Sequence, residues 1–386
     1  MRKLLLLLSI IVLLFAVSCP GEGDPSNELP DFPGWGIGIN IGNTFDSLNT
    51  NNVAGETGWG NPHVSRDYIK ALKAHGFKTI RLPVSWVDYM DEAPKYTIED
   101  IWMRRVEEVV NWILAEDMYC ILNLHHDGGG DFGSGRNPSQ KYWIKRIATN
   151  EDEVSARFAA VWEQIAGHFK NFSDKLILES MNEVGFDDIW NRYAGGQAEQ
   201  KAEAYRLLNK LNKIFVDTVR ATGGRNASRP LLIAGYWTDI TNSCDPLFQM
   251  PQDTVEDKLV LSVHYYTPWN FCDGSRVTWG SQSEINELNR LFGMLKTNFI
   301  DNGVPIILGE YGVNTIPDNP DREPNRVKWM TAVNQICVDM GICPVLWDIG
   351  SQHRNRIMGD IDRNPPYSMS NSLKEVWKNL KLPGSD

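Results

Sequence analysis

The feature that most constrains this chain is an alternation of short apolar or β-branched runs with longer segments of helical period. Eight such runs follow Trp35. The predicted strands are Gly36–Asn43, Thr79–Val84, Tyr119–Leu124, Leu176–Ser180, Leu231–Gly235, Leu259–His264, Pro305–Gly309 and Pro344–Trp347. Because parallel strands need crossover connections, strands that alternate with helices predict a parallel sheet, and eight units predict closure into a (β/α)8 TIM barrel.

The segments between the strands have the apolar spacing of amphipathic helices. The predicted helices are Arg66–His75, Ile98–Glu116, Glu151–Phe169, Ala198–Ala221, Ser283–Asn302, Arg326–Met340 and Ser370–Leu380. Thr97 is the predicted N-cap of the second helix and Gly76 the predicted C-cap of the first. The segment Asp245–Asp257, after the fifth strand, offers little helix. No second composition regime or repeat appears in the 386 residues, so we predict one catalytic barrel domain over residues 34–382.

The N-terminus has the pattern of an export signal. A short basic region, Met1-Arg2-Lys3, precedes an apolar run from Leu4 to Val17 that is too short to span a bilayer comfortably. We predict a lipoprotein-type signal peptide over residues 1–18, lipidation of Cys19 and a flexible tether over residues 19–33. The alternative is a plain signal peptide that is cleaved nearby. The predicted location is therefore the bacterial cell envelope, as a lipoprotein, or the outside of the cell, with membrane contact only through the anchor.

Charge and cysteine usage exclude several classes of protein. Lys and Arg number 38 against 49 Asp and Glu, a net charge of −11, which argues against a nucleic-acid binder. Apart from Cys19 there are five cysteines and no CxxC pair, which argues against a metal cluster. A bridge between Cys244 and Cys272 stays open. No phosphate loop or dinucleotide fingerprint appears, so we predict that the protein needs no cofactor and no metal. We also predict that it is a monomer.

Polar and aromatic side chains follow nearly every predicted strand, at the end where active sites of such barrels lie. Each residue alone also has a purely structural interpretation, for example an ion pair, a strand cap or a packed indole. Their coincidence on successive strands is what favours function. The residues are Asn40, Asn43, Arg81, His125, His126, Asp127, Asn182, Glu183, Trp237, His264, Tyr266, Glu310 and Trp347.

Two carboxylates at one rim, Glu183 and Glu310, suggest hydrolysis of a glycosidic bond. One carboxyl group must be protonated and the other ionised, and at about 5–5.5 Å separation the ionised one attacks directly with retention of configuration. We expect Arg81 and Tyr266 to keep Glu310 ionised, and His264 to tune Glu183, whose pKa must stay high enough for it to act as the acid.

These residues resemble glycoside hydrolase family 5, and the wording of the motifs is most like its subfamily 4. The resemblance runs from about Trp35 to Trp377. It is carried by GINIGNTFD at residues 38–46, IRLP at 80–83, LNLHHDG at 122–128, ESMNE at 179–183, HYY at 264–266, LGEYG at 308–312 and LWD at 346–348. One departure is Val184, where the family usually has Pro.

The resemblance implies a role for each matched position. Glu183 would be the acid/base and Glu310 the nucleophile. Arg81, His125, Asn182, His264 and Tyr266 would form the supporting shell. Asn43, His126 and Trp347 would contact the sugar before the cleaved bond. Trp59, Trp237 and Trp269 are candidates to stack on neighbouring rings, with packing as the alternative for each.

The leading hypothesis is a retaining endo-β-1,4-glucanase that acts on β-glucan. A xyloglucanase, lichenase or mannanase with the same residues remains an alternative. A non-catalytic glycan-binding lipoprotein on the same scaffold is disfavoured, since such proteins usually lose a catalytic carboxylate and both are present here.

Overall fold

The computed structural model of the protein describes residues 34–48, 55–91, 93–127, 142–316, 319–350 and 359–381. The predicted signal peptide, the lipidation of Cys19 and the tether lie outside the described residues and stay predictions. No helix within the described ranges has both the length and the apolarity that crossing a membrane requires.

The strands form a closed parallel barrel in chain order, so the fold prediction is confirmed. The last strand pairs with the first, with Gly38 opposite Val345. The strands are β1 Gly38–Asn40, β2 Thr79–Leu82, β3 Tyr119–Asn123, β4 Leu176–Glu179, β5 Leu231–Asp239, β6 Leu259–Tyr265, β7 Ile306–Tyr311 and β8 Cys343–Leu346.

The longest strand, β5, runs four residues beyond its predicted end at Gly235. Its register with β6 shifts between Ala234 and Asp239, where Asp239 pairs with His264. Inside this irregular stretch Trp237 and Thr238 have positive φ angles of 54° and 48°. Such a backbone is rare for bulky and β-branched residues, so an apolar pattern alone could not predict the extension.

The helices surround the barrel. They are α1 Arg66–Ala74, α2 Asp100–Ala115, α3 Glu151–Phe169, α4 Ala198–Ala221, α5 Ile240–Ser243, α6 Trp269–Cys272, α7 Gln282–Asn298, α8 Arg322–Met340 and α9 Asn371–Asn379. The predicted N-cap of α2 was wrong, because Glu99 and not Thr97 precedes the first helical turn. Gly76 follows α1 with φ +94°, which fits its predicted role in ending that helix. Only the four-residue α5 follows β5, as the sequence suggested.

Apolar side chains fill both sides of the barrel wall. A small cluster takes residues from strands β3 to β8, among them Ile121, Leu232 and Val345, and fills the interior at the opposite end from the site. A much larger cluster lies between the strands and the helices. Five tryptophans on the helices pack against the larger cluster: Trp102, Trp162, Trp329 and Trp377 are buried and Trp112 is half-buried.

The bridge between Cys244 and Cys272 that the sequence left open is not formed. Both thiols are free. Cys272 is buried at the end of α6, where its sulfur packs in the apolar core, and burial raises the pKa of the Cys244 thiol to about 12.

Candidate active site

The backbone beyond each strand end continues the hydrogen bonding of the barrel and so fixes the side chains at its mouth. His125 N–H donates to Val84 O at 2.8 Å, and Asn182 N–H donates to Leu124 O at 2.9 Å. Trp347 N–H donates to Tyr311 O at 2.8 Å. These bonds hold the residues after β3, β4 and β8 in the geometry of the strands, so their side chains are positioned by the barrel.

A register shift brings the residues of β6 and β7 together. The shift lies between Val263 and His264, and it pairs His264 with Glu310. Gly309 makes this approach possible, since a Cβ atom at that position would lie 3.1 Å from His264 Nε2. The strands therefore deliver the imidazole directly beside the carboxylate.

Glu183 and Glu310 face each other at the mouth. One carboxylate oxygen of each, together with a ring nitrogen of His264, lies within 4.8 Å of the others. So close an approach fits the retaining arrangement, in which carboxyl groups about 5–5.5 Å apart allow direct attack on a sugar.

Two hydrogen-bond donors stabilise the ionised form of Glu310. Arg81 Nη1 donates to Glu310 Oε1 at 2.7 Å, and Tyr266 Oη donates to Oε2 at 3.0 Å. Burial raises the pKa of the Tyr266 phenol well above its ordinary value, so the phenol remains a donor. Burial also raises the pKa of Glu310, against the opposing charges of His264 and Arg81.

Arg81 is the hub of this network, and one of its partners, Glu179, was not among the predicted strand-end residues. Its Nε donates to Glu179 Oε2 at 2.7 Å, and its Nη1 donates to Asn40 Oδ1 at 3.0 Å. Its Nη2 donates to Asn182 Oδ1 at 2.9 Å. The signal for Glu179 was present, because a carboxylate inside an apolar barrel strand needs a charged partner.

Glu183 is more accessible than Glu310, with 30% of its side chain exposed against 7%. His264 Nδ1 lies 2.9 Å from Glu183 Oε1 and 3.6 Å from Glu310 Oε2. Burial acts to raise the pKa of Glu183, but the hydrogen bond and charge of His264 outweigh it and lower the pKa. The imidazole therefore touches both carboxylates.

The direction of these two pKa shifts differs from the expectation that Glu183 would be the group with the high pKa. The difference has a physical cause in the surroundings of the two carboxyl groups. Glu310 is the more buried of the two and also faces the charge of Glu183, and both raise its pKa. Glu183 is more exposed and is hydrogen-bonded to His264, which lowers its pKa.

The residues predicted to contact the sugar before the cleaved bond lie on the β8–β1–β3 side of the mouth. The rings of His125 and Trp347 are stacked, with centroids 5.7 Å apart and planes at 4°. Trp59 lies 5.5 Å from His126. Burial lowers the pKa of His125 well below its ordinary value, so this imidazole is neutral. Asn43 has the left-handed φ of 53° at the turn after β1.

Asp46 supports this side and was not singled out from the sequence. It is fully buried and accepts the N–H groups of Asn43 and Thr44 at 3.1 and 2.8 Å. Burial raises the pKa of Asp46 to about 7, and His126 Nε2 lies 3.9 Å from its carboxylate. Asp46 thus holds the turn that positions Asn43.

The other two predicted stacking residues lie on the β4–β6 side. Trp269 is 64% exposed on α6, with its ring edge-on to Tyr266 at 6.3 Å. Trp237 is only 6% exposed and its face is covered by the Arg192 guanidinium at 3.9 Å. Trp237 therefore occupies a packing position, whereas Trp269 presents its ring to solvent.

Two groups of side chains are close enough to hold a cation, namely Asp46 with His125 and His126, and Glu183 with His264 and Glu310. In both groups the carboxylates already accept hydrogen bonds from protein donors. Arg81 places a fixed positive charge 2.7 Å from Glu310, which opposes a divalent ion. That no metal is needed stays a prediction.

Comparison with known proteins leads to the same family as the sequence motifs. The family model described as cellulase (glycosyl hydrolase family 5) matches residues 41–353. The chain is 36% identical over 339 residues to an endoglucanase A of Ruminococcus albus, covering 85% of each protein. It is 33% identical over 368 residues to a xyloglucan-specific endo-β-1,4-glucanase of Bacteroides ovatus, covering 89% of this chain and 68% of that protein.

Among solved structures, a subfamily 4 broad-specificity endoglucanase from Bacteroides salanitronis superposes with a TM-score of 0.78 at 31% identity. The match covers 94% of this chain and 98% of that one. The family match spans most of the barrel, and the site residues from Asn43 to Trp347 lie within it. The chain therefore belongs to glycosyl hydrolase family 5 and is most like its subfamily 4.

Proposed function

We propose that the protein is a retaining endo-β-1,4-glucanase that hydrolyses internal bonds of β-glucans, with Glu310 as nucleophile and Glu183 as acid/base. The observation that carries the proposal is the pair of carboxylates within 4.8 Å, one clamped by Arg81 and the other bound to His264. The family and its endoglucanase relatives support the same reaction.

The reaction has two steps. Glu310 attacks the anomeric carbon while the bond to the leaving sugar breaks, and the proton of Glu183 passes to the leaving oxygen. Glu183, now ionised, then removes a proton from water, whose oxygen displaces Glu310 from the anomeric carbon. Two inversions give net retention. Tyr266 and Arg81 hold the Glu310 oxygens in place.

Asn182 is suited to stabilise the transition state. Arg81 occupies its amide oxygen, which leaves the NH2 group to donate to a sugar hydroxyl. Hydrogen bonds to the 2-hydroxyl strengthen as charge develops at the anomeric carbon, and together with substrate distortion they contribute several kcal/mol.

The assignment of roles is tested with two substitutions. Glu310→Gln should lower kcat on soluble β-glucan by at least ~10⁴-fold with an unchanged melting temperature. Glu183→Ala should lose activity on polysaccharide but keep much of the first step on an aryl cellobioside with an activated phenol, which needs no acid. External azide should then restore turnover as the glycosyl azide. Full activity of Glu310→Gln on β-glucan, or wild-type binding of β-glucan without hydrolysis, would rule the proposal out.

Substrate choice within this reaction has a second candidate, xyloglucan. The match to a xyloglucan-specific enzyme of Bacteroides ovatus favours it. Initial rates on carboxymethylcellulose, lichenan, xyloglucan and glucomannan, measured side by side with product analysis, separate a glucanase from a xyloglucanase, a lichenase or a mannanase.

The same proposal includes export and anchoring, supported by the basic, apolar and Cys19 pattern of the first 19 residues. A monomeric catalytic domain over residues 34–382 would then act at the cell envelope. Cells that express the full chain should incorporate labelled palmitate into it, and Cys19→Ala should abolish the label. Equal labelling of the two proteins would contradict lipidation at Cys19.

A further inference from the structure

A layered stack of side chains stands beside the acid/base residue, and the reaction described above does not use it. The indole of Trp237 packs closely against Gly185, where a Cβ atom would come within 1.9 Å of the indole nitrogen. The Arg192 guanidinium lies 3.9 Å from the Trp237 ring centroid and 4.7 Å from that of Tyr193. Arg192 thus makes cation–π contacts with both aromatic rings.

The stack is built into the fold at its base. Trp237 N–H donates to Val184 O at 2.8 Å, and Trp237 Nε1 donates to Asp187 Oδ1 at 3.1 Å. A second cation, Lys145, lies 4.5 Å from the Trp237 centroid. The indole is therefore fixed to the segment that follows Glu183, and a cation–π contact then orients Arg192.

Tyr193 is the outermost layer and is strongly exposed, with 82% of its surface accessible. A tight turn presents it: Asn191 Oδ1 accepts the N–H groups of Tyr193 and Ala194 at 2.9 and 2.8 Å, and Asn191 bridges to Gly195. An exposed large aromatic ring on a braced turn is a common feature of binding surfaces.

The position of the stack relative to Glu183 and Glu310 indicates which part of the substrate lies near Tyr193. Glu183 protonates the leaving oxygen, so the leaving part of the glycan lies on the Glu183 side. Tyr193 belongs to the β4–α4 connection that carries Glu183, and the charge of Arg192 acts on that carboxylate. The rings of His125 and Trp347 occupy the opposite, β8–β1–β3 side.

We propose that Tyr193, held by Arg192 and Trp237, is the surface on which a glucosyl unit of the leaving part of the β-glucan chain stacks. The inference rests on the proposed glucanase function and assigns it a binding residue on the leaving side. The apolar C–H face of a β-linked glucose packs on a phenol ring as on other aromatic faces. The guanidinium beneath provides N–H donors for the sugar hydroxyl groups at the ring edge.

The expected contribution is modest and measurable. A single stacking contact at an exposed site is of the order of 1 kcal/mol, which corresponds to about a fivefold change in an equilibrium or rate ratio. It acts only on substrates that extend into the leaving side. The leaving group of an aryl cellobioside is a single phenol, which is too short to reach Tyr193, whereas the leaving part of an oligosaccharide can reach it.

The experiment compares kcat/KM for cellopentaose with kcat/KM for 2-chloro-4-nitrophenyl β-cellobioside. Tyr193→Ala should lower the ratio of the two about fivefold, and Tyr193→Phe should restore most of it because the ring face remains. Ile101→Ala removes an apolar side chain that is 69% exposed on α2 and should leave the ratio at the wild-type value.

The outcomes separate this inference from the function on which it rests. If wild type hydrolyses neither substrate, the glucanase proposal fails. If wild type hydrolyses both and Tyr193→Ala changes both rates equally, or changes neither, Tyr193 is not a leaving-side contact and the inference is overturned. If Tyr193→Phe lowers the ratio as much as Tyr193→Ala does, the effect belongs to the hydroxyl group and not to the ring face, and the inference is also overturned.

Discussion

At the scale of single residues, the site depends on which carboxylate holds the proton. Glu310 has a permanent counter-charge in Arg81 at 2.7 Å, whereas Glu183 is hydrogen-bonded to the His264 ring at 2.9 Å. That hydrogen bond acts against burial and lowers the pKa of Glu183. The reaction begins with Glu183 protonated, so the contacts that act on the Glu183 pKa set the pH range in which the enzyme can begin the reaction.

Arg192 gives this proton balance a testable second influence. Its charge lowers the pKa of Glu183, together with His264 and against burial. The acid must be protonated, so activity falls as the pH rises through its pKa. Arg192→Gln removes the positive charge and should raise that pKa, which shifts the alkaline limb of kcat/KM for cellopentaose to higher pH. The charged groups that face Glu183 are otherwise His264, Arg81 and Glu310.

A matched control for this prediction is Arg206→Gln. Arg206 lies on α4 and pairs with Glu151 and Glu203 on the outer surface. It should leave the alkaline limb at the wild-type position. A limb that stays in place in Arg192→Gln, or moves to lower pH, would contradict the role of the Arg192 charge.

Residue prediction from the sequence worked where a strand pattern delivered the side chain. Glu310 follows the apolar run of β7, so its position at the mouth could be predicted from the barrel fold alone. Arg192 and Tyr193 were not found, because they lie nine and ten residues beyond Glu183 in a turn whose geometry depends on Asn191. The burial of Trp237 was equally hidden, since the cations that cover it, Lys145 and Arg192, come from separate connections.

At the scale of structural elements, a buried clamp holds the segment that follows β8. Arg363 Nη2 donates to the backbone oxygens of Asp348 and Gly42, at 2.7 and 3.3 Å, and to Asp348 Oδ1. Asp348 Oδ2 in turn accepts the N–H groups of Asp360 and Ile361. The clamp therefore joins the ends of β1 and β8, next to Trp347.

Gly42 lies at the centre of that junction. A Cβ atom there would come within 3.0 Å of both the Asp348 oxygen and the Trp347 ring. The indole of Trp347 is thus packed against bare backbone, and any movement of the clamp moves the platform that we place under the sugar before the cleaved bond.

Arg363→Met should both destabilise the protein and weaken substrate binding. Loss of one partner from a buried ion pair costs about 3–5 kcal/mol, to be measured by urea denaturation. At a temperature where the variant is folded, KM on β-glucan should rise more than kcat falls, because Trp347 is displaced while Glu183 and Glu310 are not. Arg363→Lys should recover part of the lost stability. An unchanged KM in a folded Arg363→Met would show that the clamp does not position Trp347.

The elements themselves were predictable to different extents. The order of strands and the main helices followed from apolar periodicity, which is set by burial on one or both faces. The start of α8 at Arg322 instead of Arg326 was not predicted, because its first turn contains Arg322 and Pro324 in place of an apolar stripe. Arg322 is buried there by hydrogen bonds to the oxygens of Asn314 and Phe271, which no local pattern encodes.

At the scale of the whole molecule, buried carboxyl groups set the dependence of stability on pH. Burial raises the pKa of Asp46 to about 7 and that of Asp127 to about 6, and it also raises that of Asp348. In the unfolded chain these groups titrate near ~4. Between those values the folded protein binds protons that the unfolded chain does not, so the free energy of unfolding decreases as the pH rises.

Surface carboxylates act in the opposite direction at lower pH. Hydrogen bonds from Arg206 and Lys210 lower the pKa of Glu151 to about 2. The stabilisation that ionised Glu151 contributes is fully present above the pKa of this group in the unfolded chain, and it is lost as the pH falls toward the lower pKa in the folded protein. The buried set therefore gives a slope above about pH 4, and the surface set gives the opposite slope below it.

Melting temperatures measured from about pH 4.5 to 8 should therefore fall as the pH rises to about 7 and then level off. Asp46→Asn cannot ionise, so its melting curve should show a shallower slope over the same range, whatever its starting stability. A wild-type melting temperature that rises between about pH 4.5 and 7 would contradict this assignment.

The hub at Arg81 has a consequence for anyone who engineers this enzyme. One guanidinium joins Asn40 on β1, Glu179 on β4, Asn182 beyond it and Glu310 on β7. We therefore expect substitutions at position 81 to abolish activity and not to change specificity by degrees. Each of them removes hydrogen bonds to several barrel strands and to the nucleophile at once. Libraries are better directed to Tyr193 and Trp269, whose exposed rings can change without cost to the scaffold.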